Sequence, residues 1–314
     1  MRPISVIGSP SSAGAYAPGQ EQAPRALREA GLITQLTGRG VRVRDRGDLP
    51  VQRWTPDRTS PLARNVDRVV ANITGVGELV RSALADGELA LVLGGDCTTG
   101  LGTIQAMGQQ GVDHGVIYLD LHADMNVPDS VSDGALDWMG LAHALDVPGC
   151  VPAVSASCSL APEQVVLLGF AEGHATDFER RYVAELGLAV ITREELAFDP
   201  AAAARRALVA AGDLTAIAVH FDVDLIDFND APLSEHTGAN QGVTFAQALA
   251  TLDALVTDPR LTALTVTEVN PLHGAADGST LARLSTALAD TCAHWASAAA
   301  TAARIPPSAT TGPS

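Results

Sequence analysis

The chain has 314 residues, 46% of them hydrophobic but only 4% aromatic, and carries a formal net charge of −16. That charge argues against nucleic acid or an anionic membrane as partner, because both call for a basic surface, and no run of about eighteen apolar residues offers a transmembrane helix. The N-terminus enters Ile4-Ser5-Val6-Ile7 without the features of a signal peptide, and Cys97, Cys150, Cys158 and Cys292 lack zinc-knuckle spacing, so a cytoplasmic protein with reduced thiols is expected.

Strand candidates follow one another at 4–7, 41–44, 89–93, 115–121, 164–169, 187–191, 215–222 and 261–269. Amphipathic stretches separate them, among them Gln22 to Leu36, Leu62 to Ala85, Phe178 to Leu186, Ala201 to Ala211 and Phe245 to Val256. This β-α-β rhythm, with an aliphatic core, predicts a mostly parallel sheet of roughly eight strands between two helical layers. One α/β domain over 1–302 accounts for the whole pattern. Val51 to Ser60 and Val147 to Ala161 read as surface loops, and the Pro, Ser, Thr and Gly content of 303–314 reads as a frayed tail.

Two short runs carry the chemistry. Asp120-Leu121-His122-Ala123-Asp124 follows one apolar strand and Asp222-Val223-Asp224 follows another. Alternation along extended chain brings residues i, i+2 and i+4 to one side, so each run can converge on a point. Parallel sheets hold their ligands at strand C-terminal ends, where segments distant in sequence meet. Four carboxylates in one place need cations, and oxygen donors with one imidazole suit a hard or borderline divalent ion such as manganese. Either run alone could be solvated acids or helix caps; together they point to two bridged ions that would activate a water.

Further strand ends add Gly94-Gly95-Asp96-Cys97 and Glu268-Val269-Asn270-Pro271. With Ala17-Pro18-Gly19-Gln20, Ala23-Pro24-Arg25-Ala26-Leu27-Arg28, and the run from Asp120 extended through Asn126-Val127-Pro128, these motifs resemble those of the arginase, or ureohydrolase, family. The resemblance spans residues 4 to about 273. It implies an arginase-like fold, a homo-oligomer (trimer or hexamer), a small cationic guanidino substrate, and two divalent ions, manganese first. By resemblance, Asp120 and Asp222 bridge the ions, Asp124 completes one shell, and His122 with Asp224 completes the other. A metal-bridging hydroxide then attacks the guanidinium carbon and releases urea and an amine, while Glu268 grips the guanidinium.

Three departures from the family pattern bear on this. Cys97 stands where the family has a histidine ligand, and a thiolate there would shift preference from manganese toward zinc, iron or nickel. Asp137, followed by Trp138, stands where arginases carry a histidine thought to shuttle protons; the alternative for Asp137 is a helix N-cap over Met139 to Leu145. Around the expected substrate tail, Asn126 is retained, but Asp133 and Ala135 replace groups that greet an α-carboxylate, and Glu172 and His174 match the two acids that hold an α-amino group. An acid at Asp133 repels a carboxylate, which favours a decarboxylated or masked guanidine over arginine. Two other outcomes stay open: an amidine hydrolase acting on a formimino or acylated substrate, and a non-catalytic relative that binds or serves as a partner subunit. His114, His143, His220, His236, His273 and His294 read as surface or core fillers, except that His220, two residues before Asp222, could face the metal side.

Overall fold

All eight expected strands form: β1 (Ile4–Gly8), β2 (Val43–Asp48), β3 (Leu89–Leu93), β4 (His114–Leu119), β5 (Val165–Phe170), β6 (Ala189–Thr192), β7 (Ala216–Asp222) and β8 (Leu261–Thr267). In the computed structural model, which describes residues 1–156 and 158–302, they make one sheet in the order β2-β1-β3-β8-β7-β4-β5-β6. The 303–314 tail read from composition lies outside the described residues. Every strand pairing is parallel, so the sheet is wholly rather than mostly so.

Alternation sorts the strand side chains into two cores. Ile4, Val6, Leu89, Leu91, Leu93, Ile117 and Leu119 face one helical layer, which includes the long helix Ser279–Ala302 and its fully buried Trp295. Ile7, Ala90, Val92, Val116 and Tyr118 face the other, where Val69, Ile73, Val76 and Val80 of the helix Val66–Ala85 pack. Burial of each large aliphatic side chain contributes roughly 1.5–3 kcal/mol. Apolar residues on both faces of the central strands are therefore what fix this three-layer arrangement.

Several boundaries move for local reasons. The stretch Gln22 to Leu36 divides into helices Ala23–Glu29 and Leu32–Gly38 because Gly31 takes a left-handed φ of 88° between them. The next helix starts at Val66 rather than Leu62, after Asn65 at φ 55°. Strand β2 begins at Val43 because the amide of Val41 still bonds back to the Leu36 carbonyl of the preceding helix. Val147 to Ala161 is not a loop lying over the surface: it includes a helical turn Pro152–Ser155 and buries Val147, Val154, Cys158 and Leu160 against the second core.

The consequence for function lies in the strand order. β3, β8, β7 and β4 are consecutive neighbours, so Cys97, Glu268, the Asp222 run and the Asp120 run all emerge at adjacent C-terminal ends. The turn after β3 passes against the turn after β1 so closely that a Cβ on Gly95 would sit 1.7 Å from the Ser11 carbonyl oxygen. Gly95→Ala must therefore move backbone, and we expect a loss of about 1–3 kcal/mol of stability by denaturant unfolding; an unchanged unfolding midpoint would show that this contact yields freely.

Candidate metal centre

Each acidic run bends as it leaves its strand, and its first carboxylate closes the bend. Asp120 Oδ1 accepts the His122 amide at 2.6 Å, and Asp222 Oδ1 accepts the Asp224 amide at 2.7 Å. These Asx-type turns leave the second oxygen of each carboxylate out of the turn: among the described residues Asp120 Oδ2 has no partner, and Asp222 Oδ2 accepts from a thiol. His122 Nδ1 lies 2.9 Å from Asp224 Oδ2 and 3.6 Å from Asp120 Oδ1. From β3, the Cys97 thiol donates to Asp222 Oδ2 at 2.7 Å, while the Cys97 amide donates to Asp137 Oδ1 at 2.6 Å. Asp124, at a left-handed φ of 49°, receives the Tyr118 hydroxyl.

Glu268 ends β8 with its backbone at φ 64°, also left-handed. Its amide is held by the Gly95 carbonyl at 2.8 Å, and Gln20 Nε2 donates to its Oε2 at 3.3 Å. Gln20 belongs to the N-terminal motif, so that segment's place in the site is to hold Glu268. The strained backbone persists because both neighbours over-determine it. Among the described residues Glu268 Oε1 has no hydrogen-bond partner, and neither do Asp120 Oδ2 or Asp224 Oδ1.

Charge crowding shows in the acidities. Burial and the Asp224 charge push Asp120 up to about 7. Burial, then neighbouring carboxylates, hold Asp124, Asp137, Asp222 and Glu268 well above the usual carboxylate range. Burial alone would raise Asp224, but the charge and hydrogen bond of His122, with smaller contributions from His236 and Asp120, together outweigh it and keep Asp224 low. The Cys97 thiol is pushed well up by burial and by Asp222. A divalent ion would relieve all of this at once, and the donor set fits one: Asp120, His122 and Asp224 offer ligand atoms within 4.8 Å of one another. Unpartnered, buried carboxylate oxygens are what such an ion would satisfy.

A cavity of about 280 Å³ opens onto this cluster. Of the residues singled out in the sequence, Cys97, His122, Asp124, Asp133, Asp137, Trp138, His174, Asp222, Asp224 and Glu268 line it, with Asp120 immediately beneath. Two do not. Asn126 is fully buried with its Oδ1 taken by Thr176 and Ser130 hydroxyls, and Glu172 lies on a separate groove beside Arg180. Asp137 caps no helix: the helix Gly140–Ala144 has no side-chain cap, and the Asp137 carboxylate turns to the Cys97 amide instead.

The lining also includes Tyr16, Glu179, His236 and Gln241. His236 is no filler, since its ring packs edge-on to His122 at 5.4 Å. It sits with Gln241 in an irregular stretch that periodicity cannot read. Glu179 was legible only as the far end of the Thr176 capping box, which it forms.

An open parallel sheet whose adjacent strand ends gather carboxylates, an imidazole and a glutamate around one crevice is the arrangement that suits metal-dependent hydrolases of the α/β class. The Arginase family model matches residues 2–293, and the chain belongs to that family. Arginase of Bacillus subtilis (strain 168) is 28% identical over 286 residues, covering 90% of this chain and 95% of its own. A crystal structure of arginase from that organism superposes with a TM-score of 0.80 at 25% identity, over 94% of this chain and 98% of the other. Formimidoylglutamase from Bacillus subtilis shares the fold at 19% identity, with a TM-score of 0.71 over 95% of this chain and 87% of its own. Family members are amidinohydrolases with a binuclear metal centre.

The raised pKa values of the buried acids set the pH response of chelated protein. Acids held above their unfolded values stabilise the fold fully below about pH 4 and lose that contribution as pH rises through the folded values. Asp96, Asp120, Asp124, Asp137, Asp222 and Glu268 all act in this sense. His220 and His143, held low by burial, oppose them but are outnumbered. Metal-stripped protein should therefore melt lower at pH 8 than at pH 5, and added manganese should restore more at pH 8; a stripped protein that melts higher at pH 8 would contradict the charge crowding.

Proposed function

We propose that the protein hydrolyses the C–N bond of a linear guanidine, releasing urea and an amine, and that its substrate lacks a free α-carboxylate. The observation that carries this reading is Glu268. Its unpaired Oε1 lies in the same cavity lining as Asp222 and Asp224, buried and fixed by Gln20. A carboxylate with a free oxygen can take paired N–H bonds from a planar guanidinium and hold its carbon for attack.

Asp120, Asp222, Asp224 and His122 would hold the ions, with Cys97 and Asp124 alongside. When bound, the ions make a water at the site acidic enough to be a nucleophile near neutral pH. The remaining steps belong to side chains. Glu268 orients the guanidinium. As water adds to the carbon and the bond to the amine breaks, the amine needs a proton. Asp137, whose carboxyl is pushed well up by burial and the nearby Asp96 charge, lines the cavity to pass it on from the added water. Trp138 flanks the chain of the substrate.

Charge around the cavity supports the choice of substrate. Asp124, Asp133, Asp137, Glu179, Asp222, Asp224 and Glu268 line it, and among the described residues no lysine or arginine does. Cations are favoured there. A substrate carboxylate about 4 Å from Asp133 would meet roughly 1–4 kcal/mol of repulsion, depending on the local dielectric. No lysine or arginine among the described lining residues offsets it, and the charged His122 is already paired with Asp224. Two expectations follow from these contacts. Glu268→Gln should lower kcat/KM at least about 100-fold while metal content stays at the wild-type level; loss of metal would assign Glu268 to the ions instead. Urea release across a panel of guanidines should favour agmatine-like, decarboxylated compounds over arginine by at least about tenfold, and arginine as the best substrate by a wide margin would end the substrate assignment.

A further inference from the structure

His220 and Cys97 occupy one corner of the centre together. His220 lies on β7 two residues before Asp222, pairs in register with Tyr118 of β4, and is 2% exposed. Its ring stacks on Tyr118 with centroids 4.1 Å apart and planes within 2°. On the other side, Gly100 gives it room: a Cβ there would come within 2.4 Å of Nδ1. Thr267 Oγ1 lies 3.2 Å from His220 Nε2 and 3.4 Å from Cys97 Sγ, so it spans the two side chains. Among the described residues His220 Nδ1 has no partner, and Asp120 Oδ2 has none either.

Ligand atoms of Cys97, Asp120, His220 and Asp222 all lie within 4.8 Å of one another. Asp124, which the family pattern assigns to the ion beside position 97, is absent from this group and is engaged by Tyr118. We propose that His220 supplies the imidazole that position 97 lacks, so that the first ion is held by Cys97, Asp120, His220 and Asp222, deeper against the sheet, with Asp124 outside its shell. One thiolate, one imidazole and two carboxylates form a four-coordinate set suited to zinc or iron. Tyr118 then has two tasks. Its ring orients His220, and its hydroxyl draws Asp124 aside. Imidazole in place of the Asp124 carboxylate also removes one negative charge from a shell to which Cys97 adds one.

This inference rests on the proposed metal centre, and cobalt titration of the metal-stripped full chain separates the two. Wild type should bind two equivalents and develop a thiolate-to-cobalt charge-transfer band with intense tetrahedral d–d absorption. His220→Ser should lose one equivalent or weaken it about 100-fold or more, since even an outer partner of a ligand is worth about 10–100-fold, and the thiolate band should fade with it. Asp124→Asn, which keeps shape and removes charge, should retain both the equivalent and the band. His220→Ser that keeps both equivalents and the wild-type spectrum, or Asp124→Asn that loses the band, would overturn the ligand set while leaving the metal centre standing. Should His220→Ser fail to fold by circular dichroism, the Asp124→Asn spectrum decides alone. Wild type that binds no cobalt would overturn both readings.

Discussion

Convergence of like charge is the constraint on which the rest of this structure turns. Asp120, Asp124, Asp222, Asp224 and Glu268 come from three adjacent strand ends and are all nearly inaccessible to water. In such an environment carboxylates either take up protons or find cations. His122 supplies one positive charge, to Asp224, and no lysine or arginine lines the crevice among the described residues. Two kinds of cation would balance the site: ions held by the carboxylates and, in the proposed function, a cationic substrate facing Glu268.

The scaffold exists to hold that arrangement rigid. Aliphatic strands covered on both faces give a sheet that cannot slide without exposing core, and its order puts β3, β8, β7 and β4 side by side. Backbone groups then complete the site. The Gly95 carbonyl fixes the Glu268 amide, and Asp120 and Asp222 fold the ends of their own strands with one oxygen, leaving the other outside the turn, where that of Asp222 meets the Cys97 thiol. Left-handed residues at Asp124 and Glu268 mark where the chain has been turned to aim a carboxylate.

Much of this was legible in the sequence, for identifiable reasons. Buried parallel strands announce themselves as apolar runs, which is why all eight were found and why Asp120, Asp222 and Glu268 could be placed at strand ends. Boundaries failed where one residue decided them, as at Gly31 and Asn65. Site residues were missed where no periodicity exists: His236 and Gln241 lie in an irregular segment, and their approach to His122 follows only from the path of that loop. Asn126 and Glu172 show the opposite error. Motif spacing put them near the substrate, but a side chain one turn along a loop can face inward, as Asn126 does toward Thr176, or outward, as Glu172 does beside Arg180. Cys97 was visible as a departure, whereas its relation to His220 needed the register of β7 against β4.

The chemistry of this site turns on whether these carboxylates form a cation centre. Anomalous diffraction from crystals grown with manganese or zinc tests it most directly. Metal peaks are expected enclosed by Asp120 and Asp222, about 3.5–4 Å apart when both positions fill. Ordered carboxylates in the positions described here with no anomalous peak between them would contradict a cation centre.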